Sequence, residues 1–229
     1  MMRARSSRVV LLAVAALLVL VPAMALAAVP EPRYSGTIYS AAPVVNEHFG
    51  ITVAVQADGD LVAVGAPDAG TGAAYLFSPD PLTGGLAYRS TATPVDGAGG
   101  DMYGFSVALR DNLLLVGAPE HNPGGAVEAG AVYVYTVDAA TAVPTFRSKV
   151  VRGVPQANDL LGYSVATHGG RLVMGARQDD AGAPGFALAA AYDTGTNTVG
   201  AVCEASVPGI VLCACGGLGG VRWLGLCRF

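Results

Sequence analysis

The chain repeats itself, and the repeat limits what it can fold into. Phe49-Gly50-Ile51-Thr52-Val53-Ala54 aligns with Tyr103-Gly104-Phe105-Ser106-Val107-Ala108 and with Leu161-Gly162-Tyr163-Ser164-Val165-Ala166, so one block recurs after 54 and then 58 residues. A second block follows in each copy: Leu61 to Pro67 with Gly65-Ala66-Pro67, Leu113 to Pro119 with Gly117-Ala118-Pro119, and Arg171 to Arg177 with Gly175-Ala176. A third block closes on aromatics, Gly72 to Phe77 and Gly130 to Tyr135, with Ala189 to Tyr192 as a looser copy. A fourth and weaker block is Tyr34 to Ile38, Leu86 to Tyr88 and Phe146 to Val150, each trailed by a proline at Pro43, Pro94 or Pro155. Four short segments per unit, at a period above 50 residues, describe a four-stranded blade stacked against copies of itself.

The blocks read as strands because their pattern has period two. Large Ile51, Val53 and Val55 alternate with small Thr52 and Ala54; Phe105, Val107 and Leu109 alternate with Ser106 and Ala108. Each first strand then turns large side chains to one face and small ones to the other. Gly50 and Gly65 lie 15 residues apart, Gly104 and Gly117 13 apart, and an even difference keeps every later side chain on its own face. Turn residues stand between the first two strands at Asp58-Gly59, Asp111-Asn112 and Gly169-Gly170. Composition agrees: 31 glycines and 13% charged residues, with β-branched runs between turn residues, disfavour helix. The expected fold class is all-β, three propeller blades of four antiparallel strands at about 34–85, 86–145 and 146–202, with Val107 and Val116 in the core between blades. Closed propellers use about four to eight blades. Three copies therefore imply an incomplete propeller, completed by self-association or shortened relative to its gene.

Phe49-Gly50 with Gly65-Ala66-Pro67, and Tyr103-Gly104 with Gly117-Ala118-Pro119, resemble the FG-GAP repeat of integrin α-subunit propeller heads and of many secreted bacterial and protist proteins. The resemblance runs over residues 34–192; Gly162, Gly175 and Ala176 extend it into the third copy, where Leu161 replaces the aromatic and Arg177 the proline. It implies a secreted or cell-surface module of the adhesion type that binds protein or glycan and is not an enzyme. Many blades of that family carry calcium in a D-x-D-x-D-G loop between the two motif halves. Here the loop is reduced to Gln56 to Asp60, Arg110 to Asn112 and Thr167 to Gly170, and two carboxylates at most cannot supply six to eight oxygens. The sequence resembles the short-loop, calcium-free form, and no metal or cofactor is expected.

The two ends carry other signals. Arg3, Arg5 and Arg8, the apolar run Val9 to Leu20 and the small residues Ala23 to Ala27 form a signal peptide over residues 1–27. Its removal takes away three arginines and no acid, moving the formal net charge from -4 to -7. No basic block remains for phosphates, so nucleic acid is not an expected partner. Cys203, Cys213, Cys215, Cys227 and Trp223 all fall in residues 203–229, a Cys- and Gly-rich tail expected to lie outside the repeats and not to anchor the chain in a membrane. Four cysteines in an oxidising compartment allow three pairings, and spacing selects none. His48, His121 and His168 have no zinc-ligand spacing, and Ser106 and Ser164 fit small-face packing better than a nucleophile. Two other readings stay open: a structural or non-functional fragment of a larger propeller protein, and a hydrolase on a propeller scaffold.

Strand order also locates the loops. Successive strands run oppositely, so the connection from strand two to three and that from strand four to the next strand one emerge on one side, and the hairpins at Asp58, Asp111 and Gly169 on the other. The shared side holds the longest connections, where a rigid scaffold carries recognition. Asp68, Glu120, His121, Asn122, Asp179 and Asp180 are the candidate ligand contacts there.

Overall fold

A computed structural model describes residues 36–177, 186–200 and 203–205. The signal-peptide segment, Asp179, Asp180 and residues 206–229 lie outside the described residues. Three antiparallel sheets follow one another along the chain. The first joins β1 (Val53–Val55), β2 (Val62–Ala66), β3 (Ala73–Pro79) and β4 (Leu86–Ala92) in that order. The second joins β5 (Ser106–Arg110), β6 (Leu113–Ala118), β7 (Ala131–Val137) and β8 (Pro144–Val150). The third joins β9 (Leu161–His168), β10 (Arg171–Ala176), β11 (Phe186–Asp193) and β12 (Thr198–Val199), and β13 (Cys203–Ala205) also pairs with β11. The fold is all-β with up-and-down four-stranded blades, and the fourth strand of each follows its own third. Division points at 85/86 and 145/146 consequently fall inside sheets.

The registers expose a feature that spacing alone did not. Between β3 and β4 the pairing shifts by one residue at Leu76/Phe77, and between β7 and β8 at the equivalent Val134/Tyr135. In the third blade Tyr192 pairs with Val199, while Ala189 pairs with Cys203, the same one-residue shift. Strands β12 and β13 are thus two halves of one bulged fourth strand. Cys203–Ala205 belongs to the third blade, and the tail begins after it rather than at 203. The bulge recurs because it re-aims an outer strand without changing which side chains face the core.

Two further sequence alignments are corrected. Gly65 pairs with Ala74, Gly117 with Val132 and Gly175 with Ala187, so Leu188, not Tyr192, occupies the Tyr75 and Tyr133 position. Of the block Tyr34 to Ile38, Gly36 to Ile38 are described and form no strand, because no described strand lies beside them to complete a ladder.

Packing follows the large-to-small alternation. The small face of the first blade, with Ala54, Ala63, Ala74 and Leu76, meets Val107, Leu109, Val116 and Tyr133 of the second. The second blade repeats the device, setting Ala108, Leu115 and Val134 against Val165, Met174 and Leu188 of the third. Val107 and Val116 lie between blades as the pattern requires.

The motif glycines set how closely the blades approach. A Cβ at Gly65 would collide with the carbonyl oxygen of Gly104, and one at Gly117 with that of Gly162. Gly104 and Gly162 in turn face Ala73 and Ala131, where a side chain would also strike backbone. Ser106 Oγ donates to the Gly162 carbonyl at 2.7 Å across the same seam. Parallel bridges Gly72–Tyr103 and Gly130–Leu161 lie beside these contacts.

Gly117→Ala should therefore destabilise the fold by about 1–3 kcal/mol through overpacking against immobile backbone, measured by denaturant unfolding. Val116→Asp places an unpaired charge in a fully buried position and should abolish recovery of folded, protease-resistant protein.

Candidate binding face

One repeated turn builds the loop side of all three blades. Three residues before each first-block glycine stands an acid, Glu47, Asp101 or Asp159, and all three are buried. Each accepts a hydrogen bond from the backbone N–H three residues earlier: Val44 to Glu47 at 3.2 Å, Ala98 to Asp101 at 2.8 Å and Gln156 to Asp159 at 2.9 Å. The acid fastens the turn to its own blade. The following residues, His48, Met102 and Leu160, adopt positive φ between 51° and 54°, which the flanking ladder imposes on side chains that rarely choose it. These acids stand in N-E-H-F-G, G-D-M-Y-G and N-D-L-L-G, where nothing in the local pattern marks them as buried.

The two classes of connection form one surface. Asp68 N–H donates to the Glu47 carbonyl at 3.4 Å and Glu120 N–H to the Asp101 carbonyl at 3.3 Å. Asn158, Leu160 and Leu161 donate in the same way to Val127, Glu128 and Ala129. The expected sharing of one side by these loops is thus realised through backbone hydrogen bonds.

On that side Asp68 and Glu120 lie near enough across the first seam for their charges to interact. Asp68 accepts from His48 Nδ1 at 2.5 Å, and both side chains are largely exposed. Glu120 sits at the equivalent position after its proline; desolvation, then the charges of Glu128 and Asp68, raise its pKa above the ordinary carboxylate value. Asn122 is exposed and its Oδ1 accepts from Glu128 N–H at 2.6 Å. His121 is different, being buried beneath the surface. Asp179 and Asp180 lie outside the described residues. Exposed Val45, Val95, Val127 and Val154, in the same connections, were not singled out from sequence because loop valines have no periodic pattern to betray their facing.

His121 anchors a polar chain under the second blade. Its Nδ1 donates to Asp101 at 2.8 Å, which leaves Nε2 to accept from Lys149 Nζ at 3.2 Å. Lys149 reaches Asp96 at 2.5 Å, and Tyr133 Oη donates to the other Asp96 oxygen at 2.8 Å. The hydrogen bond from Lys149, helped by Tyr133, holds the Asp96 carboxyl below its ordinary pKa despite some desolvation. Burial pushes the Tyr133 phenol far up, with Asp96 adding to the shift. Desolvation raises Tyr135 to about 12, and its hydroxyl both accepts from Tyr103 at 2.9 Å and donates to the Thr93 carbonyl at 3.0 Å. In the third turn Arg152 grips fully buried Asp159 at 2.9 and 3.2 Å. The network ties the second blade's entry turn to Tyr133 and Lys149 of β7 and β8.

Residues 89–135 match the FG-GAP repeat family, from the middle of β4 to the end of the aromatic run in β7. The chain carries an FG-GAP repeat there. The matched FG-GAP unit has the phase of the sequence unit 86–145, one strand out of step with the hydrogen-bonded sheet, and it holds both glycines of its blade. Among solved structures, Saccharomyces cerevisiae Sqt1 is similar at a TM-score of 0.48 and 14% identity, over 71% of this chain and 37% of that one. A europium-containing methanol dehydrogenase is similar at a TM-score of 0.41 and 13% identity, over 66% of this chain and 24% of that one. The chain thus spans well under half the length of either. No curated protein matches it.

The opposite side consists of capped hairpins. Asp80, Asp138 and Asp193 each begin a D-x-x-T turn and accept hydrogen bonds within it, which lowers their pKa values. Asp58 is held likewise by Gln56 Nε2 and Asp60 N–H. A cavity of about 220 Å³ opens there between the second and third blades, lined by Arg110, Asn112, Thr136 and Tyr192. It is smaller than the roughly 300–1,000 Å³ usual for ligand clefts. Among the described residues no three His, Cys, Asp or Glu side chains are grouped to hold a metal ion.

Arg152→Met should lower stability by about 3–5 kcal/mol, because it leaves the Asp159 charge buried and unpaired, read from urea unfolding. Carboxyls with depressed folded pKa values add stability above their ordinary 3.8 and lose it as pH falls through the folded values. The melting temperature should therefore fall on acidification below pH 3.8, and Asp96→Asn should flatten part of that fall.

Proposed function

We propose that this FG-GAP protein is an exported binding module that holds an extracellular protein or glycan on the side formed by its two-to-three and four-to-one connections. The observation that supports this most is the joining of those connections into one hydrogen-bonded surface backed by a partly buried polar network. Such a surface displays acids, an amide and isolated valines in fixed positions, so little ordering entropy is lost on binding. Export is inferred from the signal peptide read in residues 1–27. The cavity at the opposite side is small, which favours the loop surface as the recognition site.

Arrays of extracellular protein domains and of glycans, probed with the labelled chain, test the proposal. A specific ligand is expected. Asp68→Ala and Glu120→Ala should each weaken its binding about tenfold, or about 1.4 kcal/mol, without changing the melting temperature. Asp111→Ala and Gly169→Ala on the other side should leave affinity unchanged. Loss of affinity through the hairpin variants alone would overturn the assignment of the binding side.

Because Asp58 already caps its own turn, we also propose that the short hairpins work without calcium. EDTA should leave the melting temperature unchanged. A drop of several degrees, reversed by added calcium, would show that the turns hold an ion.

A further inference from the structure

The two seams between blades close differently on the hairpin side. At the first, Val137 and Ala142 of the second blade are buried in the apolar cluster between the sheets, and Ser90 Oγ of the first blade donates to the Ala142 carbonyl. The same places in the third blade belong to Tyr192 and Asn197. Val137 pairs with Pro144 as Tyr192 pairs with Val199, and Ala142 and Asn197 share the positive φ that ends the D-x-x-T turn, 57° and 56°. Tyr192 Oη donates to Asn197 Oδ1 at 3.0 Å, within its own blade. The cavity of about 220 Å³ opens beside this pair, so the second seam is left unfilled where the first is packed.

The wall given by the second blade differs from its first-blade counterpart as well. Arg110 stands six residues after Gly104, where Gln56 stands six after Gly50. Gln56 is tied down, its Nε2 donating to Asp58 at 3.0 Å. Arg110 is not: its nearest acid, Asp111, is 4.0 Å away with a side chain 63% exposed, and its Nε is buried with no hydrogen-bond partner among the described residues. Asn112 Oδ1 is buried and unpartnered in the same way. Both residues line the cavity, and leaving such groups unpaired costs more than a typical hydrogen bond returns. Since no hydrogen bond holds these two atoms in place, both side chains can turn onto a molecule that enters. Across from them Thr136 Oγ1 accepts from Arg147 Nε at 2.8 Å, which brings a second guanidinium to the rim. Asp193 is occupied by the N–H groups of Gly195 and Thr196 in its own turn.

We infer that this cavity is a second binding site and takes a single sugar acid, a small ring that bears a carboxylate and neighbouring hydroxyls. The unpaired Arg110 guanidinium donates to the carboxylate, the anion whose geometry its fork of N–H groups matches. A hydroxyl donates to Asn112 Oδ1, and Thr136 and Thr194 offer hydroxyls of their own to the rest of the ring. Leu113 and Tyr192 supply apolar contact. A simple carboxylate would leave the amide and hydroxyl groups unmatched, and a neutral sugar would leave the cation unmatched. The volume lies below that of clefts for drug-sized ligands and admits one ring, not an extended chain. The site is therefore separate from the loop side, and the inference does not depend on which ligand the loops hold.

Titration of the whole chain with D-glucuronate, followed by amide proton–nitrogen correlation spectra, tests it. Saturable shifts are expected at Arg110 to Leu113, Gly170 and Tyr192 to Asn197, with the millimolar Kd ordinary for so small a ligand. Glucose, which lacks the carboxylate, should bind at least about tenfold more weakly. Arg110→Met keeps an apolar stem and removes the charge, and should weaken glucuronate at least about tenfold. Asn112→Gly suits the φ of 59° at that position and should weaken it about threefold or more. Circular dichroism reports whether each variant is folded; should Arg110→Met fail to fold, Asn112→Gly carries the comparison. Absence of saturable shifts at the cavity, shifts confined to the loops around Asp68 and Glu120, equal binding of glucose, or folded variants that titrate like the wild type would each overturn the inference.

Discussion

A staircase of glycines runs through all three blades, and the rest of the structure is hung on it. Within a blade, Gly50 N–H donates to the Gly65 carbonyl and Gly104 N–H to the Gly117 carbonyl, both at 2.9 Å. Between blades, the bare Cα of Gly65 lies against the carbonyl of Gly104, and that of Gly117 against the carbonyl of Gly162. Hydrogen bonds and close approaches therefore alternate from one end of the stack to the other. The approaches fix the separation of the sheets at a distance that any side chain would increase. Once that separation is set, the sizes of the residues beside it are set as well. Ala54, Ala63 and Ala74 are small because Val107, Val116 and Tyr133 must fit above them. A uniform layer of large residues on both faces would force the glycines apart.

The same spacing governs the loop side. The parallel bridges Gly72–Tyr103 and Gly130–Leu161 carry the connection of one blade onto the entry of the next. The turn acids then become buried, and a buried carboxylate must be paired or fully hydrogen-bonded. The chain meets that demand differently in successive blades. Asp101 uses His121, and Asp159 uses Arg152. The backbone partner is constant and the side-chain partner is free to vary, because only the former shapes the turn. A conserved geometry can in this way support loops whose exposed chemistry differs from blade to blade, the property that recognition on a repeated scaffold requires.

Much of this was legible in sequence, for identifiable reasons. Period-two alternation and recurrence in phase placed the first three strands of every blade, because both signals come from backbone geometry that the repeat must preserve. The partition of loops between two sides followed from strand direction alone. What was missed lay where those signals fade. Cys203–Ala205 escaped because a bulge separates it from Thr198–Val199 and its composition resembles the tail more than Leu86–Ala92. Residue type matches Tyr192 to Tyr75, whereas the ladder gives that place to Leu188. A polar residue after Gly-Ala-Pro looks exposed in sequence, and only the position of Asp101 shows that His121 turns inward. Burial of polar residues depends on partners distant in sequence, which a local pattern cannot register.

The exposed first strand of the first blade is the inverse case, in which sequence and environment disagree. Ile51, Val53 and Val55 carry the pattern of a buried seam and lie open. A strand intended for solvent on that face would place polar residues there, as the exposed Arg89 of β4 and Arg147 of β8 do when they turn outward to hydrogen-bond Ser78 and Thr136. Exposed apolar surface of this kind marks a contact. Its shape is already specified within the molecule, since Val107 and Leu109 fill the equivalent places against Ala54 and Ala63.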